Sequence, residues 1–379
     1  MTTTTETMQI EVSPPGELIA EELEARGWSQ QALAEILGVS PTLVSEVINA
    51  KRAITPETAA LLGHAFGTST EVWLGLDARY QASLAKTKKA ASTALRSKLY
   101  AKAPVRALIR RGWIKEERDP AKLSDRVLKF LEQSSLDDNF IFDHAARKST
   151  AYGITTPQQF AWLCRARHLS RIVSLRGKWR QSRAAELVSE LRQLAAHAEG
   201  VRDVPRLLSE YGIRLVVLER LSGMKMDGAT FWLDEDSPVI AHAARFDRID
   251  NFWQTLLHEV GHVENNDRLA VDEEVLSPGT KPEPEIRADK RAVESLIPQD
   301  RLDDFCLRAG PFYSKIRILG FASLIGVHPG IVVGQLHKRG PENRGLAYTH
   351  LRNFLVPIRK LISQHALTDG WGRTVEFND

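Results

Sequence analysis

The run His258-Glu259-Val260-Gly261-His262 places two imidazoles and a carboxylate within five residues. On a helix, residues four apart lie one above the other on the same face, so both imidazoles can bind one tetrahedral zinc ion. The glutamate between them stands beside the open metal position, where it can act as a general base for water. Two histidines so spaced also occur as a satisfied pair in a core, so a third ligand decides the matter. Downstream, Glu285-Ile286-Arg287-Ala288-Asp289-Lys290-Arg291-Ala292-Val293-Glu294-Ser295-Leu296-Ile297 has a helical pattern and stops at Pro298. Glu285 and Asp289 are four apart and share one face. Glu285 supplies a third ligand, and Asp289 can hold a ligand imidazole in its correct tautomer. The competing reading of Glu285 is a solvated charge within Glu283-Pro284-Glu285.

The elements that must position these groups are readable nearby. Phe252-Trp253-Gln254-Thr255-Leu256-Leu257 is apolar and helix-compatible, so the motif sits on a partly buried helix. From about Met226 to Pro298 the chain resembles the ImmA/IrrE family of bacterial metallopeptidase domains. That family carries H-E-x-G-H on one helix and E-x-x-A-[ND] on the next, ending in L-L-x-P. The resemblance implies a zincin-like domain in which His258, His262 and Glu285 hold zinc and Glu259 is the catalytic base. Asp289 stands where the family often has asparagine. Asp227-Gly228-Ala229-Thr230-Phe231-Trp232-Leu233 followed by Pro238-Val239-Ile240-Ala241 resembles the strand pair before the active helix. In such peptidases an edge strand pairs with the substrate backbone. Val239 to Ala241 is a candidate for that edge, an ordinary sheet strand being the alternative.

A second chemistry lies at the other end of the chain. Ser29 caps a run from Gln30 to Leu37 that ends before Gly38. Ser40 and Pro41 open the next helix, which runs to Asn49. Two short helices joined by Gly38-Val39 make a helix-turn-helix, whose second helix enters a major groove. Val44, Val47 and Ile48 form its apolar face, which leaves Thr42, Ser45 and Glu46 outward. Gln30 is placed for a phosphate, Asn49, Lys51 and Arg52 for the DNA backbone, and the capping Ser40 counts among the DNA-binding residues. Thr55-Pro56 and Thr70-Glu71 start two further helices, and Gly16 to Arg26 forms the first, giving a five-helix domain. Over about Pro15 to Tyr80 the chain resembles lambda-repressor-like domains of HigA-type antitoxins. Those carry an N-G-K-R-x-I-T turn, read here as Asn49-Ala50-Lys51-Arg52-Ala53-Ile54-Thr55. Ala50 in the usual glycine place implies a left-handed alanine, at about 1 kcal/mol.

Charge is unevenly spread. Residues 1–85 hold 4 basic and 11 acidic residues, a net of −7, which weakens long-range attraction to DNA. Residues 86–200 hold 24 and 11, a net of +13, with Trp113, Phe130, Phe160, Trp162 and Trp179 interleaved. Such a stretch is a candidate nucleic-acid surface, a dock for an acidic partner, or a solvated helical face. With 43% apolar residues the chain can fill real cores, and no long uncharged apolar run spans a bilayer. Cys164 and Cys306 sit in helical patterns without a Cys-x-x-Cys, as reduced thiols packed like small apolar groups. The start Met1-Thr2-Thr3-Thr4-Thr5-Glu6 has no basic or apolar leader, so a cytoplasmic protein is expected. After Pro298 the chain is helical again. The cadence Gly326-Val327-His328-Pro329-Gly330 imitates a helix-turn-helix, and His328 is expected as a cap or core residue.

These readings predict a mainly α chain with a small sheet, an α+β fold. Its parts are a helix-turn-helix domain (1–85), a basic helical connector (86–200), a zinc peptidase-like domain (201–310) and a helical extension (311–379). The expected partners are a double-stranded operator, a toxin or repressor protein, and a second copy of the chain.

Overall fold

Side-chain caps set the boundaries of the N-terminal helices. The computed structural model describes residues 12–84, 88–138, 142, 156–273, 282–339 and 349–377. Helix α1 is Pro15–Arg26, α2 Gln30–Leu37, α3 Pro41–Ile48, α4 Pro56–Phe66 and α5 Thr70–Leu84. Ser29, Ser40 and Thr55 each accept a hydrogen bond from a backbone N–H in the first turn of the helix that follows, worth about 1 kcal/mol apiece. Gly27, Gly38 and Gly67 end helices in the left-handed region. One core unites the five helices, from Ile19 and Leu33 through Val44 and Val47 to Phe66 and Trp73. Gly16 is needed where α1 crosses α3, because a Cβ there would overlap the Ile48 carbonyl.

The chain divides into two compact units, 1–96 and 97–379, and the division falls within α6, Lys88–Lys102. The expected boundary at 85/86 lies outside the described residues. In the second unit come α7 (Val105–Arg110), α8 (Pro120–Leu131), α9 (Pro157–Arg171), α10 (Ala184–Leu194) and α11 (Val204–Glu210). A five-stranded sheet follows: β1 Arg214–Leu218, β2 Met226–Trp232, β3 Pro238–His242, β4 Leu269–Glu273 and β5 Leu367–Asp369. Its order is β4-β2-β3-β1-β5. Strand β1 runs parallel to β3 and β5, and β2 is antiparallel to β3 and β4. Helix α12 (Ile249–Glu264) lies between β3 and β4 in sequence; α13 (Glu283–Leu296), α14 (Gln299–Ala309), α15 (Lys315–Ile325), α16 (Pro329–Lys338) and α17 (Arg359–Ile362) complete the unit. The chain is mostly helical with a small sheet.

Both faces of the sheet are covered, which is why Leu215-Val216-Val217-Leu218 reads as a continuous apolar run. Leu215, Val217, Trp232 and Ile240 join the core shared with α10, α11, α12 and α16. On the other face Trp162 of α9 donates its indole N–H to the Leu218 carbonyl, and Phe231 meets the Phe142 ring at 5.3 Å. The core on the α12 side takes residues from Leu187 to Ile362, so the connector, peptidase-like and C-terminal segments of the sequence reading share it. Long-range polar links reinforce this union. Buried Asp369 accepts the Trp113 indole N–H at 3.0 Å and the Arg165 Nε–H at 3.0 Å.

Of the two readings of Val239 to Ala241, the ordinary sheet strand holds: β3 is paired on both sides, antiparallel with β2 and parallel with β1, which arrives from upstream. Among the described residues the edges are β4 and β5. Most aromatics of the basic stretch are interior. Trp113, Phe130, Phe160 and Trp162 are buried, and Arg165 and Arg167 are buried beside Asp369 and Glu132. Cys164 is buried and its thiol is pushed up to about 12 by desolvation, as an inert packed thiol should be.

Candidate metal centre and helix-turn-helix surface

Helix α12 is buried along almost its whole length, from Ile249 to Val263, with the motif on its C-terminal half. Gly261 faces α13, where a Cβ would stand 3.4 Å from the Ala288 Cα. Small residues at 261, 288 and 292 let the two helices pack closely, and Arg291 clamps Glu264 with two hydrogen bonds of 2.8 and 3.2 Å. That packing brings Glu285 to the histidines. His258 Nε2 lies 3.1 Å from Glu285 Oε2, His262 Nε2 lies 3.2 Å from Glu285 Oε1, and the two Nε2 atoms are 3.1 Å apart. All three residues are buried.

The remaining ring nitrogens are spoken for. His258 Nδ1 is 2.9 Å from Asp289 Oδ1, and His262 Nδ1 is 2.8 Å from Asp267 Oδ2. A carboxylate at Nδ1 holds a proton there, so in the neutral ring Nε2 carries the lone pair. Two lone pairs and a carboxylate then face one another at about 3 Å in a buried pocket. Such a cluster repels itself unless a cation or a proton sits among them. Two ligands about 2.0–2.1 Å from a tetrahedral ion stand roughly 3.3 Å apart, so the observed separations fit the edges of a zinc site. The same negative surroundings act on the side chains. Burial opposes a charge on His262, yet hydrogen bonds to Asp267 and Glu285 lift its pKa to about 9. Burial would raise Glu285, but the two imidazoles hold it well below the usual carboxylate range.

Glu259 is fully buried and reaches back to the sheet. Its Oε2 accepts the Thr230 hydroxyl proton at 2.7 Å, and the same hydroxyl is 3.1 Å from the Glu259 carbonyl oxygen. Gly228, two residues along the same face of β2, leaves room for the carboxylate: a Cβ there would overlap Glu259 Oε1. Thr230, Gly228 and Asp267 were not singled out from the sequence. Asp267 lies just past the end of α12, after left-handed Asn266. Thr230 and Gly228 depend on sheet register and had no local cue.

In the first unit, Gln30, Thr42, Asn49, Lys51 and Arg52 are exposed, and Ser45 and Glu46 are half-buried. Several are engaged within the helix pair itself. Ser40 Oγ caps α3 by accepting from Leu43 N at 3.2 Å. The Asn49 amide donates to the Ser45 carbonyl at 2.7 Å. Glu46 Oε2 pairs with Arg52 Nε at 3.1 Å. Val44 and Val47 are buried and Ile48 partly so. Ala50 is left-handed with φ 54°, as its place in the turn implied.

Comparison with known proteins bears on this unit. The helix-turn-helix family model matches residues 19–73. Virulence-associated protein I of Dichelobacter nodosus is 38% identical over 76 residues, covering 20% of this chain and 70% of that protein. The chain belongs to the helix-turn-helix family. The HTH-type transcriptional regulator YddM of Escherichia coli (strain K12) is 33% identical over 75 residues, 20% of this chain and 78% of that protein. Among solved structures, the Pseudomonas aeruginosa antitoxin HigA with higBA promoter is 33% identical, covering 20% of this chain and 82% of that chain, with a TM-score of 0.19. Membership thus rests on the N-terminal unit. No single helix among the described residues is long and apolar enough to cross a membrane.

Proposed function

We propose that the chain is a DNA-binding transcriptional regulator whose second unit is a zinc metallopeptidase of the H-E-x-x-H type. The first unit holds an operator. The second cuts, or senses through its site, a partner protein encoded nearby, a toxin or a second repressor. The observation that carries the zinc reading is the convergence of His258 Nε2, His262 Nε2 and a Glu285 carboxylate oxygen, with Asp289 and Asp267 fixing both tautomers. The DNA reading is supported by the family match and by the name of the relative YddM, a transcriptional regulator.

His258, His262 and Glu285 would hold the ion, which supplies Lewis-acid polarisation of a scissile carbonyl when bound. Glu259 takes a proton from the attacking water on its carboxylate and delivers it to the leaving amine. Thr230 holds that carboxylate in place from β2, and Gly228 keeps the space around it open. An acidic first unit attracts DNA weakly alone, so two copies on a palindrome, about one helical turn apart, supply the affinity that one lacks.

Metal analysis of the purified chain tests the centre: about one zinc per chain is expected, lost in His262→Ala. Fresh protein that holds no zinc and takes none up would refute the site. A footprint with the intact chain and with residues 1–96 tests the operator. A second reading, an antitoxin whose zinc unit only binds its toxin, is favoured by the HigA-type turn from Asn49 to Thr55. Incubation with the product of an adjacent small gene separates the two, since only the peptidase reading expects fragments.

A further inference from the structure

Positive charge gathers around one cavity of about 630 Å³ in the second unit, remote in sequence from the histidine motif. Lys115, Arg126, Lys129, Arg165 and Arg171 line it, and no carboxylate does among the described residues. The apolar part of the lining is Trp113, Ile114, Phe130, Ile172 and Phe377. The charges arrive from three places: the turn after α7, the outer side of α8, and the C-terminal end of α9.

Pairing leaves a surplus of positive charge. Arg126 meets Glu117 at 3.2 Å, and buried Arg165 pairs with Asp369. Glu132, the left-handed residue ending α8, is shared by Arg167 at 2.8 Å and Arg171 at 2.5 Å, so one charge faces two guanidiniums. Lys129 has no ion pair among the described residues and is exposed. His168 adds no charge at neutral pH, because burial pushes it down to about 4. Its ring instead packs edge-on against Phe130 and Phe377, at 5.3 and 6.1 Å.

The walls are built, not incidental. Trp113 is held by its hydrogen bond to Asp369, and the Arg165 guanidinium lies 5.6 Å from the Trp113 ring and 4.8 Å from Phe377. The terminal segment that carries Phe377 is clamped by Arg165 on the Val375 carbonyl at 2.5 Å and by Asp369 accepting Val375 N at 3.3 Å. An apolar wall of aromatic and aliphatic side chains beside five cations defines the chemistry that fits.

We propose that this cavity binds a small organic anion with a planar apolar body. Its volume falls in the range of small-molecule sites, and charge-assisted hydrogen bonds are roughly twice as strong as neutral ones. A nucleic-acid strand fits less well. It needs open ring faces for successive bases, and here the Trp113 and Phe130 rings are buried against each other, 5.9 Å apart.

Calorimetric titration of the full chain with three probes tests this: 2-naphthoate, its neutral isostere 2-naphthamide, and inorganic phosphate. Saturable binding of 2-naphthoate is expected, roughly tenfold or more tighter than 2-naphthamide, with no competition from phosphate. Lys129→Ala and Phe377→Ala should each weaken 2-naphthoate severalfold; both positions are exposed, and unchanged thermal unfolding without ligand verifies the fold. Equal affinity for the acid and the amide would overturn the proposal. So would wild-type affinity in both variants, or no saturable heat from any probe at millimolar concentration.

Discussion

Two helix pairs in this chain share one local plan and differ in what they do with it. Between α2 and α3 the chain reads Gly38-Val39-Ser40-Pro41, and between α15 and α16 it reads Gly326-Val327-His328-Pro329. Gly38 and Gly326 are both left-handed, with φ of 68° and 81°. Ser40 caps α3, and His328 Nδ1 caps α16 by accepting from Gly330 N at 3.0 Å. The bends are 117° and 105°. The second helices then part company. Pro41, Thr42 and Asn49 of the first pair are exposed, whereas Gly330 through Leu336 are all buried. Helix α16 packs on α12, and glycine at 330 and 334 lets it lie against the Phe354 carbonyl and the Asp250 carboxylate. A helix-turn-helix is therefore a local geometry. Whether it reads DNA depends on an outer face that the rest of the fold leaves uncovered.

On that contrast, α16 is a support for α12, the helix of His258 and His262, and α3 a surface. The largest test separates the chemistry proposed for Glu259 from the surface that α3 presents. Glu259→Gln should keep the zinc and the operator footprint yet lower cleavage of a true partner by roughly 10² to 10⁴-fold. Cleavage at the wild-type rate would remove Glu259 from its role. Next in size is Gly334→Ala, whose methyl would overlap Asp250 at the start of α12. Overpacking of this kind costs about 1–3 kcal/mol, so the second unit should melt several degrees lower. Thr42→Ala on α3 should stay within about 0.5 kcal/mol of wild type in the same measurement. Equal losses would erase the distinction between the two pairs.

How much of this was legible beforehand follows the range of the interactions. The caps at Ser29, Ser40 and Thr55, the left-handed Ala50 and the spacing of His258, His262, Glu285 and Asp289 are local or periodic, and each is visible in a few residues. Thr230 and Gly228 meet Glu259 only through strand register, and a strand one residue out of register turns the other face to α12. The partners of the basic stretch lie at similar range. Arg165 finds Asp369 204 residues away, and Arg167 finds Glu132. Two of these cations, Arg165 and Arg167, are interior pairs, and Arg165 also lines the cavity. Val239 to Ala241 became an interior strand because its second neighbour, β1, lies upstream of the hairpin that the sequence displays.

A matched pair of lysines gives a smaller test of the comparison. Lys51 follows α3 and Lys338 ends α16; both are exposed. Lys51→Ala should weaken every DNA sequence alike and reduce the salt slope by about 1, while Lys338→Ala should leave binding unchanged. A loss of affinity in Lys338→Ala, measured by titration at several salt concentrations, would show that the second pair also meets DNA.

The smallest expected effect belongs to Glu46, and it separates two roles for one side chain. Read from sequence alone, Glu46 accepts a hydrogen bond from a cytosine amino group, and its loss relaxes preference at one base pair by about 1–3 kcal/mol. In the folded unit Glu46 is engaged by Arg52 at 3.1 Å, and both side chains are substantially solvated. An exposed pair of this kind is worth at most about 1 kcal/mol, so either partner can leave it for DNA. If Glu46 mainly restrains Arg52, Glu46→Ala removes one repulsive charge near the phosphates and releases a cation toward them. Affinity should then rise a fewfold on every sequence, and the salt slope should steepen by about 1. Binding titrations of Glu46→Ala against a set of single-base operator variants decide between these outcomes. A uniform gain assigns Glu46 to the acidic restraint of the first unit, and a loss confined to one base pair returns it to base reading.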